Sequence, residues 1–230
     1  MKVLVFGANG PTGQQITKQA LDAGHAVTAV TRHPEALTLA HPELTVVKGD
    51  ATDAASVGEA VRGHDAVLSA LGVPYSRHAI SLYSSSAHNI IAAMTEQGVR
   101  RLIGVTSANV DPSTRQHGSL PVRYLLEPLL TRIGRTLYED MGRMEKVIRA
   151  SELDWTVVRP PALCDADHVG NFQVSEEPLP GTFATRPDVA SFLVSQLADD
   201  RFSRKIASIA SPDAHPNILK IIWKDGITKR

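Results

Sequence analysis

The chain has 230 residues, 43% apolar and 21% charged, a composition that supports one sizeable globular core. Lys plus Arg and Asp plus Glu are equal at 24 each, which removes any electrostatic case for a nucleic-acid or anionic-membrane partner. A single cysteine, Cys164, excludes an intrachain disulfide framework and a cysteine-based zinc site.

Apolar runs and helical patterns then alternate along the chain. A strand over Lys2–Phe6 precedes a helix over Thr12–Ala23 that Gly24 stops. Strands follow at Ala26–Thr31 and Leu44–Lys48, then a helix over Ala54–Val61 ended by Gly63. A strand over Ala66–Leu71 leads to a long helix from Ala79 to Gln97, where Gly98 suits a left-handed stop. A strand at Arg101–Thr106, a helix at Arg135–Ala150 and a strand at Trp155–Arg159 complete the regular part, which Pro160-Pro161 ends. Strands apolar on both faces and separated by helices predict an α/β fold, a doubly wound parallel sheet of Rossmann type with helices on both faces. Beyond Pro160 the pattern predicts a helix at Pro187–Ala198 and a short strand at Lys205–Ala210, within a small C-terminal substrate-side segment over 160–230. Residues 108–134 are long for a strand-to-helix connection and read equally as a lid over the crevice or as a packing or subunit-contact insertion. The whole chain is expected to be one domain.

The opening strand runs straight into Gly7-Ala8-Asn9-Gly10-Pro11-Thr12-Gly13 and then a helix. A G-x-x-G-x-x-G run in that context predicts dinucleotide binding. Gly7 allows a tight turn, Gly10 leaves room for a pyrophosphate, and Gly13 lets helix pack on strand. The first-turn N–H groups and the positive end of the helix hold the phosphates, and Pro11 needs no N–H there. Asn9 and Thr12 belong to the same loop. The end of the second strand reads Thr31-Arg32-His33-Pro34, with no acid before Glu35. An arginine fork and a hydroxyl suit a ribose 2′-phosphate, so NADP(H) is expected over NAD(H). Asp50, beside Ala51 and just past the third strand, can accept from the adenine amino group, or simply shape the Gly49–Asp53 turn. Ala70, Leu71 and Gly72 end the fourth strand with backbone open to the ribose. Thr106 and Ser107 end the fifth, nearest the nicotinamide, and Pro160 ends the sixth.

These segments, with Leu153–Pro161 and Arg186-Pro187-Asp188-Val189-Ala190, resemble the atypical, extended branch of the short-chain dehydrogenase/reductase superfamily, in particular its NAD(P)H-binding NmrA-like and biliverdin reductase B/flavin reductase-like members. The resemblance covers Met1 to Ala210. It implies a Rossmann-like fold, NADPH binding and, for the enzymes, hydride transfer to a flavin, quinone, tetrapyrrole or similar carbonyl-type acceptor. The Tyr-x-x-x-Lys pair of the wider superfamily is absent: Tyr75, Tyr83, Tyr124 and Tyr138 have no lysine four residues on. Ser107 matches the flavin-reductase group's serine, but its histidine position falls at Met141. Ser107 and Tyr138 are therefore the catalytic candidates, with Glu145 a family-matching residue that can serve as a helix anchor and His117 a distant alternative acid.

The expected function is an NADPH-dependent oxidoreductase acting on a small conjugated acceptor. The alternative is a non-catalytic NADP(H)-binding redox sensor of NmrA type. The histidines show no metal-ligand spacing, so no metal is expected. Cys164 is expected to be a buried apolar residue. With no apolar stretch of spanning length and no signal segment ahead of Gly7, a cytoplasmic location is expected, with a small-molecule substrate, no nucleic acid or membrane partner, and a monomer or homodimer.

Overall fold

The computed structural model describes residues 1–111 and 132–214; His117, most of the expected lid and the tail beyond 214 lie outside the described residues. β1 (Lys2–Phe6) leads into α1 (Pro11–Asp22), β2 (Ala26–Thr31), β3 (Leu44–Lys48), α2 (Ala54–Val61) and β4 (Ala66–Ser69). α3 (Leu82–Gln97), β5 (Arg101–Val105), α4 (Arg135–Arg149) and β6 (Asp154–Arg159) follow. The chain then forms β7 (Ala162–Cys164), β8 (Gln173–Ser175), β9 (Phe183–Thr185), α5 (Arg186–Ser195) and β10 (Lys205–Ala210).

The main sheet has eight strands in the order β3-β2-β1-β4-β5-β6-β10-β8. All neighbours are parallel except β8, which runs antiparallel to β10 at the edge. Val3 is flanked by Val27 on one side and Ala66 on the other. The strand order reverses at β1, so β1 and β4 diverge into helices on opposite faces and leave a crevice at their carboxyl ends.

The strands are buried on both faces because helices cover both. Leu4, Phe6, Val67, Leu102 and Val157 pack with Ile90, Met94, Met144 and Ile148 of α3 and α4. The alternate residues Val3, Val5, Leu68, Ile103 and Val158 pack with Ile16 and Ala20 of α1 and with Val189 and Leu193 of α5. Period-two alternation thus splits one apolar run between two cores.

Local signals set the element ends. The Asp53 carboxylate accepts from Ala55 N–H at the start of α2, and Gly98 stops α3 at φ +72. Several expected boundaries move by one to three residues, α5 ending at Ser195 rather than Ala198. β4 ends at Ser69, two residues early, because Ala70 turns to meet the glycine loop, and α3 begins at Leu82 rather than Ala79. The short strands β7, β8 and β9 have three residues each, too few to carry a period-two pattern in the sequence. β7 and β9 form a separate parallel pair. No helix among the described residues is long and apolar enough to cross a membrane.

Candidate functional site

The glycine loop is built by backbone meeting backbone. Gly7 sits at φ +80, and a Cβ there would lie 2.4 Å from the Ala70 carbonyl oxygen and 2.9 Å from Leu71 N. The loops after β1 and β4 therefore touch without side chains between them. A Cβ on Gly13 would lie 2.1 Å from the Gly7 carbonyl oxygen, so α1 closes directly on the turn. Gly10 faces more open space, its nearest neighbour the Gly7 oxygen at 3.3 Å. The Gly10 N–H donates to Gly7 O at 3.0 Å and the Gln14 N–H to Gly10 O at 2.9 Å. Pro11 is the first residue of α1, with Thr12 and Gly13 in the same turn, where N–H groups have no intrahelical partner.

Asn9 joins this loop to the end of β2. Its amide nitrogen donates to the His33 carbonyl at 2.8 Å, while its Oδ1 is buried and has no partner among the described residues. The Thr31 hydroxyl accepts from His33 N–H at 3.1 Å. These two bonds fix the turn that carries Arg32, which is exposed and forms no ion pair among the described residues. A bare backbone cradle, an orphaned acceptor and an exposed guanidinium fit a phosphate-bearing dinucleotide.

Asp50 is tied into its own turn. Its Oδ1 accepts from Thr52 N–H at 2.8 Å and from the Thr52 hydroxyl at 2.7 Å. Those bonds, chiefly the backbone one, hold its carboxyl below the usual range, and Arg32 adds to the effect. Oδ2 is left for another donor. Ala51 is buried in the core beneath α3, and its carbonyl accepts from Asn89.

On the other side of the crevice the loops after β4, β5 and β6 converge with α4. Thr106 turns inward and donates to Glu145 at 2.7 Å. Glu145 also pairs with Arg159 at 2.6 Å, and Arg159 reaches Asp111 at 3.0 Å. Burial opposes the charge on Arg159, but the two carboxylates outweigh it and raise its pKa above the ordinary value. Glu145 thus clamps α4 to the ends of β5 and β6. The Ser107 hydroxyl accepts from Asn109 N–H at 3.2 Å, capping a short turn over Ala108–Val110. The Pro160 carbonyl accepts from Ala108 N–H at 2.9 Å. Met141, where a histidine was sought, is packed in the core.

Tyr138, the second catalytic candidate, joins a hydroxyl network. Its hydroxyl accepts from the Asn109 amide nitrogen at 3.0 Å and lies 3.2 Å from the Tyr75 hydroxyl. Asp140, one turn from that network and fully buried, accepts from Tyr83 N–H at 2.8 Å and pairs with Arg143. It caps α3 from α4. Tyr83 itself is buried, which pushes its phenol up to about 12. The pairings of Tyr75, Asn109, Asp111 and Asp140 were not visible in the sequence because they span 29 to 63 positions, while Arg159 reaches Glu145 across 14 and Asp111 across 48. Of these, Arg159 lay within the Leu153–Pro161 segment that the sequence had singled out. Cys164 is buried and donates weakly to Ala184 O; burial raises its pKa.

Residues 7–200 match the family described as NAD(P)H-binding. The chain belongs to this family. An uncharacterised chloroplastic protein of Arabidopsis thaliana is 30% identical to it over 222 residues, 91% of the chain and 76% of that protein. Other curated relatives are longer, and the chain spans 32% and 46% of two of them. Among solved structures, an anaerobilin reductase from Escherichia coli O157:H7, ChuY, superposes with TM-score 0.73 at 26% identity, covering 94% of this chain and all of that one. A short-chain dehydrogenase/reductase from Veillonella parvula, solved with NADP, shares the fold at TM-score 0.73 and 19% identity, covering 94% and 96%. The NAD(P)H-binding protein is therefore a Rossmann-like member of an oxidoreductase family whose neighbours include reductases.

Proposed function

We propose that the protein is an NADPH-dependent reductase that delivers hydride to a small conjugated acceptor of flavin, quinone or related carbonyl type. The observation that carries this reading is the crevice at the β1–β4 reversal, with bare backbone on its phosphate side and a hydrogen-bonded tyrosine on the other. NADPH, when bound, supplies the hydride. The chain's own residues do the rest. Gly7, Gly10 and Gly13 admit the diphosphate to the first turn of α1. Thr31 and Arg32 meet the 2′-phosphate, and Oδ2 of Asp50 accepts from the adenine amino group. Ala70, Leu71 and Gly72 border the ribose. Thr106, through Glu145, keeps the end of β5 rigid, and Ser107 and Pro160 line the nicotinamide end. Tyr138 gives the proton.

A second reading has support of its own. Met141 stands where an acid would help, and the Ser107 hydroxyl is already engaged with local backbone. A coenzyme-binding regulator needs neither. NADPH oxidation against FMN, riboflavin and menadione separates the two. Turnover with any acceptor supports the reductase; micromolar NADPH binding with no turnover supports the regulator.

A further inference from the structure

The hydroxyl of Tyr138 belongs to a small network. Three residues from three different elements meet at it. Tyr75 lies in the loop after β4, Asn109 in the turn after β5, and Tyr138 in the first turn of α4. The Asn109 amide nitrogen donates to the Tyr138 oxygen at 3.0 Å, and the two phenol oxygens are 3.2 Å apart. The rings meet edge to face, with centroids 6.4 Å apart. Tyr75 is 49% exposed, whereas Tyr138 is half-buried. Gly134 makes the meeting possible: a Cβ there would lie 2.6 Å from the Tyr138 ring and 2.8 Å from the Tyr75 ring. Both rings are rigid, so no larger residue fits between them.

The arrangement also lies on the relevant side of the sheet. The phosphate-binding turn and Arg32 take the adenosine half over β1 and β2. The other half of a dinucleotide must then run over β4 and β5, whose loops carry Tyr75 and Asn109.

We propose that Tyr75 and Tyr138 form a proton path, resting on the reductase reading above: Tyr138 protonates the acceptor and Tyr75 returns a proton to it from water. A hydride, one proton with two electrons, passes from the nicotinamide to the acceptor. The Tyr138 O–H bond breaks and its proton goes to the acceptor oxygen. The resulting phenolate is held by the Asn109 N–H until it takes a proton from the Tyr75 hydroxyl, which water replenishes. Tyr75 acts through Tyr138 and is a positioning residue with a relay role. A quinone or carbonyl acceptor needs this proton on oxygen; a reduced flavin leaves comfortably as its anion.

Tyr75→Phe and Tyr138→Phe test the path, since both keep the ring contact. In the coenzyme-free protein, ¹³Cζ-tyrosine NMR at neutral pH should show the Tyr138 resonance displaced in Y75F, because its oxygen loses the neighbouring hydroxyl. With menadione and saturating NADPH, Y75F should lose about tenfold in kcat, Y138F about a hundredfold, both with unchanged KM for NADPH. Imidazole as a diffusible proton donor should restore Y75F, and FMN turnover should fall less than menadione turnover in both variants. An unmoved Tyr138 resonance, or full menadione turnover by Y75F, overturns the path while leaving the reductase reading intact. A wild-type protein that binds NADPH but reduces neither acceptor overturns both.

Discussion

The proposed preference for NADPH rests on Arg32. It stands exposed just past β2 in a turn braced by Asn9 and Thr31, and the nearby Asp50 carboxylate accepts from Thr52 through Oδ1. A hydrogen bond to a charged group contributes about 1.5–3 kcal/mol. Arg32→Glu should therefore weaken NADPH by about thirtyfold or more in calorimetry and NADH by less than threefold. Equal loss for both would remove Arg32 from the phosphate site. Its position was legible in the sequence because it directly follows the apolar run of β2. The brace from Asn9, 24 positions away, was not. Asn9 could be named as a loop residue, but the target of its amide depends on how β2 turns.

The elements are held together around the site by buried charge. Glu145 of α4 is 5% exposed and ties Thr106 at the end of β5 to Arg159 at the end of β6. Removing one member of a buried pair strands the other, at a cost of about 3 kcal/mol or more. Glu145→Gln should lower stability by about 3 kcal/mol in urea titration, since Asp111 neutralises Arg159 only in part. Unchanged stability would mean that water already screens the pair. The longer helices and strands themselves followed from periodicity, and some of their ends from Asp53, Gly98 and the Pro160-Pro161 pair. The sequence reading failed where elements were three residues long, as in β7, β8 and β9, and where a residue's role lay on another element. Asp140 looks like an ordinary helical acid; its service as the cap of α3 exists only once α3 and α4 pack.

At the scale of the molecule, the crevice is a product of strand order. Coenzyme binding should couple to global stability because the loops after β1, β2 and β4 come from both sides of the reversal. NADPH at a hundred times its dissociation constant should add about 2.7 kcal/mol to the unfolding free energy, visible as a rise in melting temperature. An unshifted melting curve at that concentration would argue that nothing binds the native crevice. The amino-acid sequence by itself determined the alternation of strand and helix, the parallel sheet, the glycine turn and the cationic end of β2. These depend on period, on the absence of a side chain and on residues adjacent in the chain. Tertiary structure alone decided that Gly7 lies against Ala70, that Glu145 joins two strands, and that Tyr75 meets Tyr138 across a gap kept open by Gly134. Those pairings arise from packing at contact distance between segments far apart in sequence, which no local pattern encodes.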